Sequence, residues 1–462
     1  MIVDVAHTPI SLTAQDIVSV MLQMPASQYP VLLDSGHYQD YGLYTGRYLI
    51  AAYRPETCLQ LEGEPLQRLD KLWAAWQISD SLKGNANIDN GLPCAYGAAI
   101  GFCAYDLGRQ LEKLPHTAKS SHSVPDLWLC FYTELIVYDY LRQQATLIAV
   151  SHQSDCAKQC LESAYQEWQQ LAQQVRPSQI VPAQSQAPIK YASNFTHTEY
   201  LAAVVQIKEQ IRLGNIYQAN LTQQLTFELK DLPAALIFQR LRSQNPVAFM
   251  TYLQTPDWAV VSASPERFLA RTGANTIAAY PIKGTRPRGQ SDREDLEIAQ
   301  QLSTSEKDIA ENIMIVDLLR NDLGRICEIG SIDASQLLSL QKLPTVFHLV
   351  SKISGQLKLP LTISELLQAT FPCGSITGAP KIRAMEIIEQ IEGVRRGLSM
   401  GALGWFGYDG QLHLNVAIRT LFMRNSYGYF NVGGGIVADS DPESEYQESW
   451  LKAQAMCQAI GC

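Results

Sequence analysis

The chain has 462 residues, 46% of them apolar, with a net charge of −9 and a mean hydropathy of −0.08. That composition fits an ordinary globular protein of two or three domains, or one large composite domain. The negative balance, without a long basic run, argues against a nucleic-acid partner, and no apolar run approaches the ~20 residues of a membrane span.

The N-terminus carries Asp4 and no basic n-region, so no signal peptide is expected. Residues 1–172 read as a strand-rich region. Trp128 to Tyr140 and Thr146 to Val150 are β-branched and aromatic, with the polar turn Arg142-Gln143-Gln144 between them. Residues 173–189, dominated by Gln, Pro, Ser and Ala with no apolar period, read as a linker. Residues 190–462 then interleave strands and helices without strict alternation, which predicts an α+β fold. The ten cysteines are scattered. Cys156 and Cys160 are the closest pair and no second pair completes a zinc pattern, so free thiols in a reducing cytosol are expected. No Gly-x-Cys-x-Gly elbow occurs, so the chain is not expected to release ammonia from an amide itself.

Several segments of the second region carry chemistry. Glu266 in Ser264-Pro265-Glu266 is an acid without a local partner. Pro281 to Gly289 sets one amine, Lys283, in a glycine-bounded loop beside Arg286 and Arg288. It reads either as a basic surface turn or as a nucleophile whose proton nearby cations help to remove. A helix is predicted from Ser305, its N-cap, to about Leu319, with Ile309, Ile313, Val316 and Leu319 as its apolar stripe. His348, between Phe347 and Leu349, reads by default as a core histidine. The loop Gly374 to Gly378, including Ser375 and Thr377, leads into a helix over 380–392 that Gly393 stops, a place where backbone N–H groups bind anions. A hairpin turns at Asp409-Gly410, and Arg419 at its far end suits either a carboxylate or a structural salt bridge. Gly433-Gly434-Gly435 permits close approach of a ligand or a tight turn.

A last helix starts near Asp441-Pro442. Asp308 with Glu311, and Glu445 with Glu448, stand at i, i+3, so each pair shares a helix face. Facing each other, four such acids suit Mg²⁺. Separately, Asp308 serves as a cap residue and Glu448 as the i+4 partner of Lys452.

Taken together, SASPERF (262–268), PIKGTRPRG (281–289), DIAENIMIVDLLRNDLGR (308–325), VFHLVSKISG (346–355), GSITGAPKIRAMEII (374–388), AIRT (417–420) and GGGIVADSDPESEYQES (433–449) resemble the chorismate-utilising enzymes. The likeness is weaker in the N-terminal region, at Leu32 to Ser35 and Ile100 to Leu107. It implies two antiparallel β-sheets packed face to face with helices outside, both regions contributing. It implies Mg²⁺ on Glu311 and Glu448, with Asp308 and Glu445 around its waters, and a substrate ring carboxylate beside the Gly374–Gly378 loop. Arg419, Gly434, Gly435 and Lys452 would hold the enolpyruvyl carboxylate, and Glu266 and His348 would stand near the C4 hydroxyl. Thr285, beside Lys283, belongs to the expected substrate site.

Within the family, water-adding members carry a lysine base where this chain has Gln218, and anthranilate-forming members typically carry alanine where it has Lys283. The lysine implies the branch that makes 4-amino-4-deoxychorismate, a precursor of 4-aminobenzoate and folate. Lys283 would add at C2 with Glu266 as general acid, and ammonia would come from a glutamine amidotransferase subunit. The alternatives are anthranilate formation and a ligand-binding protein without catalysis. Ser399 stands where many relatives place an aromatic, and Ser35 belongs to a segment that in relatives lines a tryptophan pocket.

Overall fold

The computed structural model describes every residue except 41, 44, 65, 83–90, 121, 176–188, 274, 344 and 345. Most of the expected linker over 173–189 lies outside the described residues. Its first two residues close the helix Ala157–Gln174.

The aromatic run from Trp128 to Tyr140 is not one strand. It breaks at Thr133 into Leu127–Tyr132 and Glu134–Asp139, which belong to different sheets. The same passage from sheet to sheet recurs between Trp258–Ser264 and Arg267–Thr272, and between Leu412–Val416 and Thr420–Arg424. Among the described residues these crossings join two large antiparallel sheets of twelve and ten strands. Both segments of the chain feed both sheets: Val31–Asp34 lies beside Phe249–Gln254 in the larger, and Ala98–Cys103 beside Ala402–Gly407 in the smaller. The α+β expectation and the face-to-face packing of the sheets hold.

The layer between the sheets is aromatic. Trp258 of the larger sheet meets Trp128 and Phe102 of the smaller edge-on, with centroids 5.0 and 5.5 Å apart, an arrangement favoured by the ring quadrupoles. The outer face of the larger sheet is covered by the helices Ala14–Gln23, Ala157–Gln174, Ala234–Gln244 and Pro442–Ile460, whose apolar residues form a second core with it. Among the described residues no helix is long and apolar enough to cross a membrane.

Four expectations change in detail. The helix capped by Ser305 runs over Glu306–Gly324, and its inward face is rotated from the apolar stripe. Asp308 and Asn312 are buried while Ile309 and Ile313 are only half-buried. The polar face turns inward because it finds partners there: the Ser351 hydroxyl donates to Asn312 Oδ1 at 2.6 Å, and Arg286 donates to Asp308. The strand after Asp409-Gly410 ends at Val416, and Ile418 and Arg419 lie in the crossing beyond it. The segment around Lys283 is a strand, Ile282–Pro287, rather than a loop. The thiols are not all free: Cys58 and Cys130 stand directly opposite across antiparallel strands and form a disulfide, which spacing along the chain did not reveal.

Because Trp258 spans the layer between the sheets, Trp258→Ala should cost about 3–5 kcal/mol of stability. Chemical denaturation of the two proteins measures it.

Candidate active site

Two neighbouring crossings build one wall of the site. Glu266 sits where Ser264 leaves the larger sheet, and Arg419 where the chain re-enters it. The corners are tied by backbone bonds from Val416 N–H to the Glu266 carbonyl and from Ala263 N–H to the Arg419 carbonyl, both 3.0 Å. Arg419 adopts φ +50°, a strained value for a residue with a side chain. Glu266 is 7% exposed, and one carboxyl oxygen, Oε1, has no hydrogen-bond partner among the described residues. The other side of the carboxyl meets the Ser375 hydroxyl and the Ile282 backbone. Burial raises its pKa, against the opposing pull of Ser375, Lys283 and Lys452.

Lys283 reaches the site from the strand Ile282–Pro287, which pairs with Val346–Gln356. The register shifts between Lys283 and Thr285, and Gly284 takes φ +79°, which glycine alone adopts without strain. Past this bulge, Thr285 Oγ1 lies 2.8 Å from His348 Nδ1 on the neighbouring strand. Burial, and then the charge of Arg419, push the His348 pKa down to about 4, so the ring is neutral at pH 7. The Lys283 amine lies 3.2 Å from the place a side chain on Gly435 would occupy, and the Gln218 amide crowds the same place. Gln218 is fully buried, and neither of its amide atoms has a partner among the described residues.

The arginines of this segment do not act as free cations beside Lys283. Arg288 grips Asp295 through two bonds of 2.6 and 2.7 Å, and Arg286 donates to Asp308 at 2.8 Å. The expected help from these two charges in deprotonating Lys283 is therefore withdrawn, since a carboxylate answers each.

The four acids lie on two helices, Glu306–Gly324 and Pro442–Ile460. Glu448 pairs with Lys452 at 2.7 Å, and that cation, foremost among its surroundings, lowers the Glu448 pKa. Glu445 accepts from Ser440 at 2.7 Å and has Lys307 at 3.8 Å. Glu311 differs: burial raises its pKa, and Asp308 and Glu445 push the same way, against Lys283 and Lys307. Among the described residues no three His, Cys, Asp or Glu side chains converge tightly enough to hold a metal ion. The donors still suit Mg²⁺, a hard ion that keeps most of its waters and takes one or two carboxylates directly.

The carboxylate loop closes the other side. A short turn, Gly374–Ile376, is followed by Gly378–Ala379, which pairs with Gln218 and Ala219 before Pro380 caps the helix Lys381–Glu392. Gly374 packs so close to Leu318 that a side chain there would stand 2.7 Å from it. The Thr377 hydroxyl turns back to the Cys373 carbonyl at 3.1 Å. Gly434 and Gly435 lie in the strand Tyr427–Ile436, opposite Leu221 and Asn220. A side chain on Gly434 would meet Glu445, Lys452 and Glu448 at 3.3, 3.4 and 3.8 Å. Lys452 also donates to the Gly433 carbonyl at 2.9 Å.

Ser35 lies away from this cluster, buried, its hydroxyl donating to the His37 and Tyr48 carbonyls. Ser399 is buried too, and its oxygen accepts from the Asn431 N–H at 3.0 Å. One feature was missed. Arg396, 2% exposed, donates to both oxygens of Glu392 and to the carbonyls of Ile376 and Asn220, fastening the loop to the strand Gln218–Glu228. Glu392 and Arg396 stand at i, i+4, but Gly393 between them ends the helix and hides the pairing.

A composite double sheet, an amine among carboxylates and a glycine-lined cradle define an enzyme site for a small anionic substrate. The chain belongs to the chorismate-binding enzyme family, whose model matches residues 30–458. It is 35% identical over 401 residues to aminodeoxychorismate synthase component 1 of Bacillus subtilis, covering 86% of this chain and 83% of that protein. It is 33% identical over 409 residues to anthranilate synthase component 1 of Acetivibrio thermocellus, covering 87% and 81%. The solved structure of anthranilate synthase component I from Streptococcus pneumoniae superposes with a TM-score of 0.78 at 28% identity, over 89% of this chain and 92% of that one. The chain is thus a chorismate-utilising enzyme. Relatives named for two different products match almost equally, so the family sets the substrate and leaves the product to particular residues.

The His348 ring should titrate near pH 4, followed by its NMR resonances, and not near the 6.5 of a free imidazole. The unfolded chain takes that proton more readily, so this stabilising contribution is complete above about pH 6.5 and is lost as pH falls towards 4. A midpoint at 6 to 7 would contradict the buried neutral ring.

Proposed function

We propose that the chain converts chorismate and ammonia to 4-amino-4-deoxychorismate, the product for which the Bacillus subtilis relative is named. The observation that carries this reading is Lys283: a single amine, aimed by a bulge into the space bounded by Gln218 and Gly435 and facing Glu266. Anthranilate-forming members resemble one another in having alanine there. The chain would accordingly act as a transferase of the amine to chorismate, on the route to 4-aminobenzoate and folate.

In this reading the neutral Lys283 amine forms a bond to C2 of the ring, the diene electrons shift, and the C4–oxygen bond breaks. Glu266 gives its proton to the departing hydroxyl, which leaves as water. A carboxyl whose pKa burial raises suits that task. Ammonia then adds at C4, the electrons return, the C2–nitrogen bond breaks, and the new ammonium group returns a proton to Glu266. The enolpyruvyl group is retained, so its removal belongs to another protein. Arg419, Lys452 and the Gly434 and Gly435 backbone would hold the enolpyruvyl carboxylate. The Gly374–Gly378 loop with Ser375 and Thr377 would hold the ring carboxylate, with His348 and Thr285 beside the C4 side of the ring. Mg²⁺, held by Glu311 and Glu448 with Asp308 and Glu445 around its waters, would act as a Lewis acid on the ring carboxylate. A glutamine amidotransferase subunit would supply ammonia, in keeping with the missing cysteine elbow.

The purified chain given chorismate, Mg²⁺ and an ammonium salt should form 4-amino-4-deoxychorismate, identified by mass and chromatography. Anthranilate instead would sink the product assignment, and no product at all would sink catalysis. Without ammonia, intact-protein mass spectrometry should trap an adduct that maps to Lys283. Lys283→Ala should abolish amination, and Glu266→Gln should lower kcat by about 10²- to 10⁴-fold.

The metal assignment has its own test. Glu311→Gln should weaken Mg²⁺ binding measured by calorimetry, together with Mg²⁺-dependent activity. An unchanged Mg²⁺ titration would refute it.

A further inference from the structure

The proposed reaction asks one buried carboxyl to be an acid and then a carboxylate. The Ser375 hydroxyl meets the Glu266 carboxyl and stands 3.3 Å from the Cys373 thiol, with all three side chains buried. A hydroxyl has one proton to give. When Glu266 is ionised, Ser375 turns that proton to the carboxylate, and its lone pair accepts the thiol S–H. When Glu266 is protonated, its O–H donates to Ser375, and the hydroxyl proton needs another acceptor. Sulfur stands in that place, and a thiol both donates and accepts weakly. Burial beside Glu266 pushes the Cys373 pKa up to about 12, so it stays a thiol at neutral pH. Its backbone is fixed by the Thr377 hydroxyl and Ile376 N–H, which both donate to the Cys373 carbonyl.

We propose that Cys373 is a positioning residue for the general acid: through Ser375 it completes the hydrogen-bond chain in both protonation states of Glu266. The proposal rests on Glu266 being that acid. The other charged groups facing Glu266 are Lys283, Lys452 and Arg419, and all three favour its carboxylate. Against them, the thiol keeps the acid form from stranding a buried donor. An orphaned donor costs more than an acceptor with a spare lone pair, so losing sulfur harms the acid form more.

Cys373→Ala should therefore lower the pH at which Glu266 ionises, and with it the alkaline limb of kcat, by about half a unit to one unit. Cys373→Ser, which restores a donor and acceptor, should track the wild type, and KM for chorismate should stay unchanged in both. Comparing variant with wild type at each pH cancels the titration of ammonia itself. A second readout needs no turnover: the infrared band of the protonated carboxyl, assigned with Glu266→Gln, should titrate with the same shift in the free enzyme. Coincident Glu266 titrations in Cys373→Ala and wild type, or an equal shift in Cys373→Ser, would overturn the proposal. If the infrared shift appears but the wild type makes no product, the chain of bonds stands and the aminase reading falls.

Discussion

The site depends on two polypeptide crossings that lie side by side. A strand leaving one sheet for the other must turn, and at the turn its backbone pairing is interrupted. Here the interruptions at Pro265-Glu266 and at 417–419 are adjacent, and each supplies a backbone donor to the other. That mutual pairing satisfies groups that burial would otherwise orphan. It also fixes an acid and a base, Glu266 and Arg419, at the corner between the two sheets. The aromatic layer around Trp258 holds the sheets together, and so holds the corner.

The remaining polar parts are balanced by pairs. Arg286 answers Asp308, Lys452 answers Glu448, Lys307 approaches Glu445 and Arg396 answers Glu392. What is left over is informative. Glu311 is half-buried with Lys283 and Lys307 set against Asp308 and Glu445, and, among the described residues, Gln218 has no partner for its amide and Glu266 has an oxygen without one. Buried polar groups without partners are uncommon and costly, and a substrate with its own donors and acceptors removes the cost. The three leftovers gather round Lys283. Burial raises the pKa of Glu266 and of Glu311, while Lys452, foremost, lowers that of Glu448, so the acids of one site differ in how firmly they hold a proton.

Much of this was legible from short-range signals. Ser305 and Asp441 cap their helices, Gly393 ends one, and Asp409-Gly410 turns its hairpin, because caps and turns are decided by a few consecutive residues. Long-range pairing was not legible. The register between Cys58 and Cys130, the break of the Trp128–Tyr140 run at Thr133 and the inward rotation of Asp308 and Asn312 all depend on what lies across a sheet or under a helix. The arginines beside Lys283 illustrate the same limit. Adjacent in sequence, they suggested a cationic nest, yet each found a carboxylate, at Asp308 and Asp295, outside its own strand.

Gly284 shows how the nucleophile and the acids become one unit. Its positive φ makes the bulge that aims Lys283, and its missing side chain has a second consequence. A Cβ there would stand 2.9 Å from Leu302 and 3.1 Å from Asp308, so the strand can lie directly against the start of the acid helix only because the residue is glycine. Arg286, two residues on, then bonds Asp308 across the same junction. The strand that carries Lys283 is thus set against the helix that carries Glu311 by contacts on both sides of the bulge. The Lys283 charge is among those that act on Glu311, opposing the effect of its burial.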